Sequence, residues 1–226
     1  MSAKYKFIIT IFTVLIFFNA CEDNNTISEG ELIYSITYPQ GDKNQPIIAL
    51  LPKQMSIYFK DNKTVGYISG FWGTFEIRFL NDYDNGKTYT IVRIVNKKYI
   101  YQADTGDLPP GYGEMANIKL VNTEKDTLIS NLHCKEAIMY APIYQKPEKI
   151  YYTYDIAIDN PNANNPFKAI KGVLVKFKVR LLGIDMIFNL KQIKRYPIDD
   201  QKFEIPKDYK PINKQDLENF LKSFTE

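Results

Sequence analysis

The stretch Val173-Leu174-Val175-Lys176-Phe177-Lys178-Val179-Arg180, followed by Leu182-Gly183 and then Ile184-Asp185-Met186-Ile187-Phe188-Asn189-Leu190, carries the clearest pattern in the chain. Val173, Val175, Phe177 and Val179 fall on one side of an extended backbone, with Leu174, Lys176, Lys178 and Arg180 opposite. After the turn, Ile184, Met186, Phe188 and Leu190 share one side, with Asp185, Ile187, Asn189 and Lys191 on the other. A period of two with one apolar side predicts a β-hairpin that buries one face.

The same period recurs outward from this hairpin. Upstream, Ile150, Tyr152, Tyr154, Ile156 and Ile158 alternate, and the Asn- and Pro-rich residues 159–166 form a long turn. Nearer the start, Leu32, Tyr34, Ile36 and Tyr38 alternate, as do Met55, Ile57 and Phe59. Asp61-Asn62-Lys63 turns the chain into a returning strand at 65–68, and Phe75, Ile77 and Phe79 form the next. Strands are predicted at 89–95 and 99–101, then at 118–121 and 127–139, with Phe203-Glu204-Ile205-Pro206 ending the sheet. Residues 103–113, with their prolines and glycines, form a loop. The apolar residues 46–52, bounded by Pro46 and Pro52, read as a short helical turn over a sheet face. Leu217, Phe220, Leu221 and Phe224 make one stripe on a C-terminal helix, capped by Asn213 with Asp216 in its first turn. The fold class is therefore mainly β, antiparallel, with roughly ten or eleven strands and little helix. A sandwich, a barrel or a curved sheet around a helix would each cover the apolar faces.

The N-terminus has a different character. Lys4 and Lys6 precede an apolar run from Phe7 to Phe18, the pattern of a secretory signal. The run is too short for a spanning helix, which needs roughly 20 residues. Phe18-Asn19-Ala20-Cys21 resembles a bacterial lipobox, in which the cysteine thiol takes a diacylglycerol and becomes the mature N-terminus. This gives a cleaved segment at 1–20, a lipidated Cys21 with a tether to residue 30, and a single domain at 31–226. Membrane attachment through two or three acyl chains would then be stable. The acidic and polar residues after Cys21 resemble an export tag that some Gram-negative bacteria use for the outer leaflet, and they also suit a plain solvated tether. The expected location is the outer membrane, with the periplasmic and the outer face both open.

Composition excludes several functions. The 29 basic residues lose Lys4 and Lys6 with the leader and then nearly balance the 26 acidic ones, which leaves no electrostatic footprint for nucleic acid. With Cys21 acylated, Cys134 has no partner for a disulfide and reads as a buried thiol. His133 is the sole histidine, and as the strand neighbour of Cys134 it points to the opposite face. A Cys–His pair is therefore not expected to work as a nucleophile and base. No phosphate-binding glycine loop and no metal-ligand spacing is present in the sequence, so catalytic residues, metal and cofactor are all expected to be none. Trp72 between glycines and Tyr112 in the 103–113 loop are the aromatic candidates for exposed contact residues.

Four segments together carry a family resemblance. Residues 51–63, from Leu51-Pro52-Lys53 to Asp61-Asn62-Lys63, resemble an early hairpin of lipoproteins related to the LolA/LolB-like superfamily and their GLPGLI-type relatives. Asn131-Leu132-His133-Cys134-Lys135-Glu136-Ala137, Ala169-Ile170-Lys171-Gly172-Val173-Leu174 and Phe203-Glu204-Ile205-Pro206-Lys207-Asp208-Tyr209-Lys210 resemble later parts in the same order. The resemblance implies a curved antiparallel half-barrel, with short helices capping a concave apolar face that in such proteins holds acyl chains. On that basis the chain is expected to be a non-enzymatic, monomeric envelope lipoprotein that binds a lipid or other apolar ligand. Val175, Phe177, Met186 and Phe188 would contribute the contacts. The alternative is a surface module binding a glycan or a partner protein, with the sheet packed as solid core and loops such as 103–113 making the contacts.

Overall fold

A computed structural model of the chain describes residues 26–39, 51–70, 73–103 and 106–223. Cys21, Trp72, residues 46–50 and Phe224 lie outside them, and with them the readings placed there. The described residues form one open sheet of twelve strands. Strand β1 (Gly30–Thr37) sits in the middle. From it a meander runs outward through β2 (Gln54–Lys60), β3 (Lys63–Gly70), β4 (Phe75–Asp82), β5 (Lys87–Ile94) and β6 (Lys97–Ala103). The chain then crosses to the far edge. It returns through β7 (Lys119–Ile129), β8 (Leu132–Tyr140), β9 (Glu148–Thr153), β10 (Val173–Leu181) and β11 (Ile184–Lys194), which closes on β1. All these pairs are antiparallel. The last strand, β12 (Lys210–Pro211), lies parallel to β6, so the sheet is mixed rather than wholly antiparallel.

Turn chemistry sets the register. Asp61-Asn62, Ser130-Asn131 and Leu182-Gly183 each connect adjacent strands with both residues at positive φ. Such two-residue turns match the right-handed twist of the strands they join. The predicted strand over 127–139 is in fact two strands, because Ser130 and Asn131 turn the chain without a glycine. The short polar side chain of Asn tolerates the left-handed conformation.

The predicted alternations hold for the central strands and fail at three places. Strand β9 ends at Thr153, so Ile156 and Ile158 belong to an irregular segment instead. Strand β10 carries a bulge between Leu174 and Lys176, which buries Leu174 and Val175 together. Phe203 lies in a 3-10 turn, Asp200–Phe203, rather than in a closing strand. The packed domain also begins earlier than residue 31, since Ile27 is buried and bridges Ile156.

Both faces of the sheet carry packed apolar clusters. Its inner face carries the main core, which includes Leu32, Tyr34 and Ile36 of β1, Met55 and Phe59 of β2, and Met186, Phe188 and Leu190 of β11. Over β4 to β6 that face is closed by helix α1 (Lys214–Lys222), whose Leu217 and Leu221 are buried against Ile77, Val92 and Tyr101. Each such leucine contributes about 1.5–3 kcal/mol by leaving water. Asn213 caps the helix by accepting a hydrogen bond from the Asp216 amide at 2.9 Å. The outer face of β3 to β5 holds a second small cluster, Val65, Leu80 and Ile91, against which Phe203 and Tyr209 pack. The C-terminal segment thus packs on the outer face of β3 to β5, pairs along the β6 edge as β12, and ends as α1 on the inner face.

Candidate functional site

Long connections between adjacent strands are uncommon in compact domains and are usually functional. Strands β9 and β10 are sheet neighbours, yet residues 154–172 run between them without regular structure apart from the Ile156 bridge. This segment folds over the inner face as a roof. Its apolar side chains Ile156, Ile158, Phe167 and Ile170 are buried in the main core. Gly172 makes its return possible, because a Cβ there would sit 2.6 Å from the Thr153 carbonyl oxygen. Asn162, itself buried, donates to the carbonyls of Ile170 (2.8 Å) and Gly172 (2.9 Å) and accepts from the Asn165 side chain at 3.0 Å.

Between roof and sheet lies a cavity of about 140 Å³. Tyr34, Met55, Ile57, Gly66, Phe79 and Phe177 are among the residues that form its sheet side. Pro161, Asn162, Asn165, Pro166 and Phe167 close it from above, and Tyr83 and Tyr112 stand at its sides. None of the described residues lining it is charged. Its polar groups are engaged with one another. Asn81 donates to Thr64 at 3.1 Å and accepts from Thr88 at 3.2 Å. Tyr83 donates to the Pro161 carbonyl at 2.7 Å, and Tyr34 to the Leu174 carbonyl at 2.7 Å. Among the described residues no buried side-chain polar atom lacks a partner. Burial pushes the Tyr83 and Tyr112 phenols up to about 12 and raises Tyr34 as well, so all three stay neutral at ordinary pH. The cavity can take an uncharged apolar group and offers no counter-charge to an ionised one.

Of the four residues expected to make contacts, Phe177 lines the cavity. Phe188 lies against it, with the two rings stacked at 4.9 Å and 6°. Phe177 also meets Tyr34 and Phe167 edge-on at 6.1 and 5.7 Å. Val175 and Met186 are buried in the packed core rather than at the cavity wall. Tyr112, expected to be exposed, is half-buried and lines the cavity, because its loop crosses from β6 to β7 over the packed domain. That loop is held at Gly111, whose amide donates to Glu218 of α1 at 2.9 Å and whose carbonyl accepts from Leu182. Asn81, Tyr83, Asn162 and Asn165 were not anticipated as site residues. The Asn- and Pro-rich composition of 159–166 was the one signal for the last two.

The Cys134 and His133 side chains diverge as strand alternation requires. The His133 side chain is 88% exposed, and Cys134 is 1% exposed. Burial pushes the Cys134 thiol up to about 11, which keeps it protonated and poorly nucleophilic. His133 faces Asp155 instead, with Nδ1 3.2 Å from the carboxylate. Among the described residues no group of three acidic, His or Cys side chains converges as a metal site would. No described helix is long and apolar enough to cross a membrane. No family model matches this chain, and no curated protein matches it.

Proposed function

We propose that the chain is a non-enzymatic envelope lipoprotein, anchored by acyl chains on Cys21, that holds an uncharged apolar group in the cavity beneath its 154–172 roof. In this reading the sheet is a LolA-like half-barrel curved around the roof, on either face of the outer membrane. The observation that carries the binding role is the cavity itself, an apolar space with no charged lining residue. Well-packed interiors have few voids larger than a water molecule. A dry apolar cavity of about 150 Å³ accepts a benzene-sized molecule, whereas pockets for larger ligands run to about 300–1,000 Å³. The ligand group is therefore the end of an acyl chain or a single ring, and a longer chain enters only as the roof lifts. Native mass spectrometry of the gently purified full chain tests this. A co-purifying neutral or acyl-bearing mass is expected. A protein that carries none, and takes up no small apolar probe, would sink the reading.

A surface module binding a glycan or partner protein is the second reading. It draws on the exposed Leu128 and Tyr154, which flank a groove with His133 and Asp155. Tyr154→Ala would abolish that binding and leave the cavity untouched.

A further inference from the structure

The start of the roof is paired with the start of the domain. Ile27 and Ile156 form a parallel bridge. The Ile27 amide donates to the Asp155 carbonyl at 2.9 Å, and the Ile27 carbonyl accepts from the Ala157 amide at 2.9 Å. Both isoleucine side chains are buried in the main core. The next roof residue but one, Ile158, lines the cavity. Beside the bridge, Asp155 accepts from the His133 amide at 2.7 Å and its own amide donates to the Thr153 hydroxyl at 3.0 Å. Further along the roof the holds are side chains of the opposite half of the sheet. Asn62 accepts from the Asp159 amide at 2.8 Å, and Tyr83 donates to the Pro161 carbonyl. Ile27 is thus a backbone clasp on the cavity roof, placed where the chain enters the domain.

We infer that residues 26–28 act as a latch, so that the roof lifts and the cavity opens when Ile27 leaves its bridge to Ile156. Release frees two main-chain hydrogen bonds and two buried aliphatic side chains in one step. It leaves β3 to β6, which share none of these contacts, in place. A pull or a contact on the segment before Thr26 is thereby converted into access to the cavity. The use of that access rests on the apolar-ligand reading above, while the latch itself does not.

Hydrogen exchange on the full chain, with wild type beside Ile27→Gly and the milder Ile27→Ala, separates the two. Losing one buried aliphatic side chain should speed exchange across residues 156–172 by about tenfold or more in Ile27→Gly. Ile27→Ala should give a smaller change in the same segment, and amides of β3 to β6 should keep wild-type rates in both. Uptake of N-phenyl-1-naphthylamine should rise in the order wild type, Ile27→Ala, Ile27→Gly. Unchanged exchange in the roof would overturn the latch, as would an equal acceleration throughout the sheet in Ile27→Ala. Faster roof exchange with no probe uptake in any variant would leave the latch standing and remove the apolar-ligand reading instead.

Discussion

Phe177 is where the packed core meets the cavity. Its ring is stacked on Phe188, edged by Tyr34 and Phe167, and forms part of the cavity wall. Phe177→Ala should enlarge the cavity and cost about 3–5 kcal/mol, measured by denaturant unfolding. The opposite change is available at Gly66, where an added Cβ would find only ordinary contacts, 3.7 Å from Ile57 and 4.0 Å from Phe79. Val95 illustrates a residue whose cost has no visible return. It is 69% exposed, β-branched, and held at φ 54° in the β5–β6 turn. Such residues are genuine outliers in this region, whereas Asn tolerates it. Val95→Asn should therefore stabilise the domain by about 0.5–1 kcal/mol and raise the melting temperature by a few degrees. The alternation around Phe177 was readable from the sequence. Its place at a cavity was not, because that depends on residues 154–172 folding back over the sheet, although the alternation through Tyr154, Ile156 and Ile158 reads as a continuing strand.

At the scale of elements, strands with strict alternation and polar turns were legible, and α1 was legible down to its Asn213 cap. Asn213→Ala should cost about 1 kcal/mol by leaving the Asp216 amide without its acceptor. The change should leave the 154–172 roof unaffected, since α1 packs over β4 to β6. Three features were hidden. The bulge at Val175 and the parallel β12 are decided by neighbours distant in sequence, and the turn at Ser130-Asn131 carries no glycine to mark it. The bulge turns Leu174 inward together with Val175, which no local period encodes. Phe203-Glu204-Ile205-Pro206 likewise reads as the end of the sheet, but Phe203 sits in a 3-10 turn and packs, with Tyr209, on the second small core of the outer face.

For the whole molecule, the tyrosines set the alkaline limit. Tyr83 and Tyr112 titrate at about 12 when folded, against an ordinary phenol near 10, and burial is the cause in both. A folded value raised above the unfolded one stabilises the native state fully below about pH 10, and that contribution is lost as pH climbs toward 12. Spectrophotometric titration should accordingly show these phenols ionising together with the loss of native structure between about pH 10 and 12. Smooth ionisation near 10 with the fold intact would contradict their burial. The sheet's two meanders meet at β1, and the roof spans the inner face beside it, so the cavity draws its walls from both halves of the sheet. That arrangement makes the cavity sensitive to the packing of the inner face around it.

The most direct measurement is calorimetric or NMR titration of the full chain with benzene, in wild type and in Gly66→Val. The account predicts saturable binding by the wild type, with resonances of Tyr34, Ile57 and Phe177 shifting. It predicts loss of that binding in Gly66→Val with the fold and its stability kept, because the added methyls occupy the space. Equal binding by both proteins, or none by a folded wild type, would contradict the claim that the cavity under the roof is the binding site.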